Sequence, residues 1–184
     1  LNEINQFSKY FRYSKLSRLI DVSERSILSS VTTAQMRKEL DVQLGVGVRY
    51  EINFSNRIDN ATIGRPTTHP FGVGNKITSN AFTLGGFSNC FLEDNDGIIR
   101  IYRELGVENI AVSVNAGTIN YTTGKIILTS FAPTAFNDGG TTLKITAAPQ
   151  NKDILPLRGQ ILSIRTADID ITMVDDNSLS LVAR

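Results

Sequence analysis

Cysteine and histidine each occur once, as Cys90 and His69, and tryptophan does not occur. A disulfide framework needs cysteine pairs and a zinc site needs about four ligands, commonly Cys and His, so neither is built within one copy of the chain. A Ser-His-Asp or Cys-His catalytic set would have to use His69. That residue stands in Thr67-Thr68-His69-Pro70, an extended or turning stretch where a lone histidine is far more often solvated than catalytic. Uninterrupted apolar runs are only a few residues long, too short to span a membrane. An excess of one charge is missing too. Lys plus Arg number 19 against 18 Asp plus Glu, a formal +1, whereas duplex nucleic-acid binding through phosphates brings a clear basic excess. The start, Leu1-Asn2-Glu3-Ile4-Asn5, has neither an initiator methionine nor an apolar signal core and is expected to be the interior of a longer polypeptide.

What is present suits a folded domain. The 184 residues are 41% hydrophobic and 20% charged, and a chain of this size buries roughly 70% of its surface. Residues 1–44 lack glycine and proline. Apolar residues fall at helical spacing from Glu3 to about Leu28: Ile4, Phe7 and Phe11, then Leu16, Leu19 and Ile20. One or two short helices are expected there, with Ser14 or Ser23 as possible starts, although neither completes a capping box. From Val31 to Leu40 the alternation slightly favours a strand over a helix.

After Gly45 the texture is β-rich. Arg49–Phe54 alternates, placing Tyr50, Ile52 and Phe54 on one face. A long loop region follows from Ser55 to Gly86, with one strand expected at Lys76–Thr83. Cys90–Glu93 and Ile98–Arg103 flank Asp94-Asn95-Asp96-Gly97, a hairpin signal because Gly accepts positive φ. Strands are expected at Asn109–Val114, Thr118–Tyr121 and Lys125–Thr129, the last two joined by Thr122-Thr123-Gly124 with Gly124 left-handed. Asn137-Asp138-Gly139-Gly140 turns the chain into Thr142–Ala147, where Leu143 and Ile145 share a face, and further strands are expected at Gln160–Ile164 and Ile169–Val174. The fold class is α+β and mostly β: a short N-terminal helical arm (1–44, with a connecting strand), then an antiparallel β-sandwich or partly open barrel-like domain (45–184).

Candidate chemistry is sparse. With Gly97 at the sixth position of a calcium loop, the first and twelfth fall on Leu92 and Arg103, which do not ligate calcium, so Glu93-Asp94-Asn95-Asp96-Gly97 is expected to be a turn with solvated acids. Asp168, Asp170, Asp175 and Asp176 carry no sign of a glycosidase cleft. Gly45-Val46-Gly47 and Gly72-Val73-Gly74 lack the rest of a phosphate loop and are expected to turn the backbone. No metal or cofactor is implied. The most unusual segment is Lys9-Tyr10-Phe11-Arg12-Tyr13-Ser14-Lys15-Leu16-Ser17-Arg18, where basic and aromatic residues interleave. Three readings stay open for it: packing on the chain's own core, burial against another subunit, or stacking on single-stranded nucleic acid.

Several stretches together carry a family resemblance. They are Tyr10–Asp21 leading into Arg25-Ser26-Ile27 and Met36-Arg37-Lys38; Arg49–Asn56; Asn120–Ile126; and Ala148–Ile154 with Arg158–Ile161. In this order they resemble the C-terminal region of the baseplate wedge subunit of T-even-like contractile phages, the gene-product-six, baseplate-J-like family, over most of residues 10–174. The upstream baseplate-J core has no counterpart here. The resemblance implies a structural, non-enzymatic virion protein of the tail baseplate, assembled in the host cytoplasm, a homodimer within each wedge. It also implies partners among other wedge proteins, a six-fold ring, and rearrangement on sheath contraction. By that analogy the arm from Tyr10 to Leu28 is a contact segment, with Tyr10, Phe11, Tyr13, Leu16, Leu19, Ile20 and Ile27 as interface residues. No nucleic acid or membrane partner is expected. The rival class is a carbohydrate- or receptor-binding β-domain of a tail, with Phe71, Phe82, Phe87 and Phe91 as exposed rings.

Overall fold

The computed structural model describes residues 10–23, 30–60, 70–73, 75–156, 164 and 169–172. The one helix among them, α1, is Tyr13–Asp21. Ten strands follow: β1 Met36–Asp41, β2 Val48–Asn53, β3 Ile77–Ser79, β4 Phe82–Leu84 and β5 Phe87–Asn95. The rest are β6 Ile98–Leu105, β7 Glu108–Asn120, β8 Lys125–Phe131, β9 Ala135–Phe136 and β10 Thr142–Ala147. All join one antiparallel sheet in the order β1-β10-β3-β5-β6-β7-β8-β2, with β4 bridging β5 and β9. The sheet curls on itself into a nearly closed barrel, so the barrel form is realised rather than the sandwich.

The period-2 patterns place the core. Ile52 and Phe54 point inward with Tyr50 half-buried beside them, and Leu143 and Ile145 are buried, as expected. Phe82 lies at the centre with no exposed surface, edge-on to Phe131 at 5.1 Å and to Phe136 at 6.3 Å. The β5–β6 hairpin turns on Asp96 (φ 49°) and Gly97 (φ 86°), the pair of positive φ values that a tight primed turn demands. Gly124 takes φ 70° between β7 and β8, as its position implied.

Several boundaries differ from expectation for physical reasons. The two strands expected at 109–114 and 118–121 are one strand, β7, because Gly117 continues it: a Cβ there would meet the Ile127 carbonyl oxygen of β8. The strand expected at Lys76–Thr83 divides at Asn80-Ala81, since the Asn80 carboxamide bonds the Lys144 N–H (2.8 Å) and the Thr142 carbonyl (3.1 Å) of β10. Neither Ser14 nor Ser23 starts α1: Ser14 lies within it, and Ser23 donates to the Ile20 carbonyl after its end. Residues 169–172 are exposed and outside any strand. The remaining expected elements, at 4–7, 24–28, 160–163 and 173–174, lie outside the described residues.

Of the acids before Gly97, Asp96 is exposed as expected, but Glu93 and Asp94 are not solvated. Glu93 and Asp94 are 1% and 2% exposed. As neighbours on β5 they face opposite sides of the sheet. Asp94 Oδ1 accepts the Lys76 and Ile77 N–H groups at 2.7 and 2.8 Å, and its Oδ2 accepts the Tyr121 hydroxyl at 2.8 Å. Glu93 lies directly across from Arg100 on β6, with Nη2 to Oε1 at 2.7 Å, and its Oε2 accepts the Gly72 N–H at 2.7 Å. Phe71 covers the Arg100 guanidinium at 4.3 Å, and Asn109 donates to the Phe71 carbonyl. Burial pushes the Glu93 carboxyl above its ordinary value, against the pull of the Gly72 N–H and of Arg100. Tyr102, buried and near Glu104 and Glu93, is pushed up to about 12.

Removing one member of a buried pair strands the other charge. Arg100→Met is therefore expected to cost about 3–5 kcal/mol at pH 7. Because the Glu93 pKa is raised in the folded chain, its protonated form is the one folding favours. The penalty should shrink below the ordinary carboxylate range and grow as pH rises through the raised value. Adding Glu93→Gln, which keeps an acceptor for Gly72, should recover most of the loss. Urea unfolding at pH 4 and pH 7 checks this; an equal penalty at both would contradict it.

Candidate functional site

The helical arm docks at one end of the barrel. Phe11 forms a bridge with Ile154, its N–H donating to the Ile154 carbonyl and its carbonyl accepting the Ile154 N–H, both at 3.0 Å. Phe11 is buried in the barrel core. The helix starts after Arg12, which makes no side-chain cap bond. The acceptor comes instead from a remote segment: Asp153 Oδ1 takes the Tyr13 N–H at 2.9 Å, placing a carboxylate at the positive end of the helix. Tyr13 donates its hydroxyl to the Thr32 carbonyl at 2.6 Å, and Lys152 Nζ lies 4.4 Å from its ring centroid.

The inward stripe of α1 is Tyr13, Leu16, Ser17 and Ile20, all half-buried, spaced i, i+3, i+4, i+7. Tyr13 and Leu16 pack against the core. The outward side holds Arg12, Lys15, Arg18 and Leu19, the last 54% exposed, and Val22 just after the helix is 68% exposed. Tyr10 is exposed as well. The seven candidate residues therefore divide. Phe11, Tyr13 and Leu16 pack on the chain's own barrel, Ile20 is half-buried on the same side of the helix, Tyr10 and Leu19 face outward, and Ile27 lies outside the described residues. Val22 joins the outward group. Its i, i+3 spacing from Leu19 is the signal that could have found it.

The four aromatic candidates divide too. Phe82 is core, which corrects the expectation of an exposed ring. Phe71 and Phe91 are half-buried beside Tyr102, with ring centroids at 6.4 and 5.6 Å from it. Only Phe87 is well exposed, at 44%, with the Arg103 guanidinium 4.9 Å from its centroid. Cys90 is buried, its thiol 3.2 Å from the Phe87 carbonyl, and burial pushes its pKa up, so it is not a poised nucleophile. His69, Asp168, Asp175 and Asp176 lie outside the described residues, and Asp170 is exposed. Among the described residues, no three His, Cys, Asp or Glu side chains cluster to hold a metal ion, and no helix is long and apolar enough to cross a membrane.

A family model described as baseplate structural protein gp6, C-terminal domain III, matches residues 1–39, the stretch that contains α1 and the start of β1. In this stretch the chain is similar to that baseplate family. No curated protein matches the chain.

Asp153→Ala is expected to loosen α1 by about 1 kcal/mol, the usual worth of an N-terminal acceptor. Amide exchange from Tyr13 to Leu16 should quicken while β5 and β6 stay protected. Unchanged exchange in the helix would mean that Asp153 does not hold it.

Proposed function

We propose that this chain is a structural component of the baseplate of a contractile phage tail. In this reading it is part of a wedge subunit that pairs with a second copy within each wedge. It joins wedges into the six-fold ring and rearranges when the sheath contracts. Residues 1–44 are the arm and 45–184 the β-rich domain. Its partners are copies of itself and other baseplate wedge proteins, with no nucleic acid or membrane, and its role is structural rather than enzymatic. It resides in the virion tail and is assembled in the host cytoplasm.

The match of residues 1–39 to the baseplate domain carries the reading. The arm's geometry supports it: one face of α1 is spent on the barrel, while Tyr10, Leu19 and Val22 remain outward next to Arg12 and Arg18. An exposed tyrosine beside arginines is a composition enriched at interface centres, and Leu19 and Val22 add apolar surface next to it. The carbohydrate-binding alternative has less support, because of its four rings only Phe87 is well exposed.

Leu19→Asp combined with Val22→Asp is expected to reduce incorporation into tails by at least about tenfold, the equivalent of about 1.4 kcal/mol of contact energy. The melting curve of the chain should not change, since neither side chain serves the core. Phe11 is unsuitable for this test because its loss would damage the barrel itself. Normal incorporation of the double variant would remove the arm from the interface.

A further inference from the structure

β7 is the longest strand among the described residues, and within them half of it is paired on one side only. β6 runs along it from Leu105 opposite Glu108 to Ile98 opposite Thr118. On its other side β8 pairs with it only between Gly117 and Asn120. Past Leu128, β8 continues beside β2 and leaves β7. The two strands diverge from Gly117 and Leu128 and enclose a notch of about 120 Å³. Leu84, Ile101, Ser113, Ala116, Thr129 and Phe131 line it, and Ile101 and Phe131 are core residues at its floor.

An unpaired strand edge templates further pairing unless it is blunted, and charge is the usual device. The two terminal strands of the sheet have it: β1 carries Arg37, Lys38, Glu39 and Asp41, and β2 carries Arg49 and Glu51. The free part of β7 reads Glu108-Asn109-Ile110-Ala111-Val112-Ser113-Val114-Asn115-Ala116, with no proline and, after Glu108 at its start, no charge. Two register shifts against β6 bend it without covering it, bringing Ser113 and Asn115 to the notch and leaving Val114 66% exposed.

We propose that this edge binds an extended strand of another polypeptide by backbone pairing, with one aliphatic side chain seated in the notch. The charge around the edge specifies the partner further. Glu104 and Glu108 flank the β6–β7 turn; β7 itself carries no Lys or Arg, and the neighbouring cation on β6, Arg103 opposite Ile110, is turned over the Phe87 ring. The bound strand therefore carries Lys or Arg where it passes that turn. A second copy of β7 offers the acids no such cation, which separates this contact from self-pairing. It is also separate from the arm: alternation of the hairpins puts the β6–β7 turn at the end of the barrel opposite the Phe11–Ile154 bridge.

The test uses the full chain, isotope-labelled for amide NMR, and a nine-residue peptide of alternating Val and Thr with a lysine at each end. Saturable shifts confined to residues 109–116 and 128–131 are expected. Ala111→Lys combined with Val114→Lys should weaken binding at least about tenfold, with an unchanged melting curve because both positions are exposed. A peptide with glutamates in place of the lysines should bind several-fold more weakly. Absence of saturable shifts at millimolar peptide, shifts on β1 or β2 instead, equal binding by the lysine variant, or equal binding of the glutamate peptide would each overturn the proposal. So would concentration-dependent pairing of the chain with itself through residues 109–116.

Discussion

Two adjacent buried carboxylates on one strand hold the architecture together. Glu93 and Asp94 point to opposite faces of β5, and each collects groups from distant parts of the chain. Asp94 gathers the start of β3 and, through Tyr121, the β7–β8 turn at one end of the barrel. Tyr121 also accepts the Gly97 N–H at 3.3 Å, tying the β5–β6 turn to the same point. Glu93 fixes β6 through Arg100 and the Phe71-Gly72 segment on the outer face. A buried charge is tolerable only when paired and hydrogen-bonded, so these partners must all arrive together. The requirement specifies register: a one-residue slip of β5 would exchange the faces of the two acids and leave both without their partners.

Local chemistry in the sequence carried much of the barrel. Asp96-Gly97 and Thr123-Gly124 mark their hairpins because tight turns need positive φ, and the alternations at 50–54 and 142–147 mark inward faces because strands have period 2. What was not legible depends on contacts far apart in sequence. Glu93 and Asp94 look like solvated turn acids until residues 72, 76, 77, 100 and 121 are brought around them. Gly117 looks like a break until β8 passes so close that only glycine fits. The start of α1 offers no cap of its own, because its acceptor is Asp153, 140 residues away from Tyr13. In the arm, helical spacing identified the apolar residues but not their division, since a docked helix and a free one share the same periodicity. Val22 and Leu19 differ from Leu16 and Ile20 only in which side the bridge at Phe11 turns toward the barrel.

The result is a molecule with two unlike ends. One end carries the arm, anchored through Phe11 and Asp153 and presenting Tyr10, Leu19 and Val22 beside basic residues. The other carries the β6–β7 turn, from which the edge of β7, uncharged from Asn109 to Ala116, leads back to the notch. A barrel with separate surfaces at its two ends suits a part that transmits position between neighbours in an assembly. The likeness of residues 1–39 to a baseplate domain gives that assembly its identity in the proposed reading.

The most direct measurement is the mass and symmetry of the native particle that carries this chain, by mass photometry and electron microscopy of material purified without overexpression. A particle of very large mass with six-fold symmetry that contains the chain is expected. A free monomer of the chain's own mass, 20.2 kDa, would contradict it.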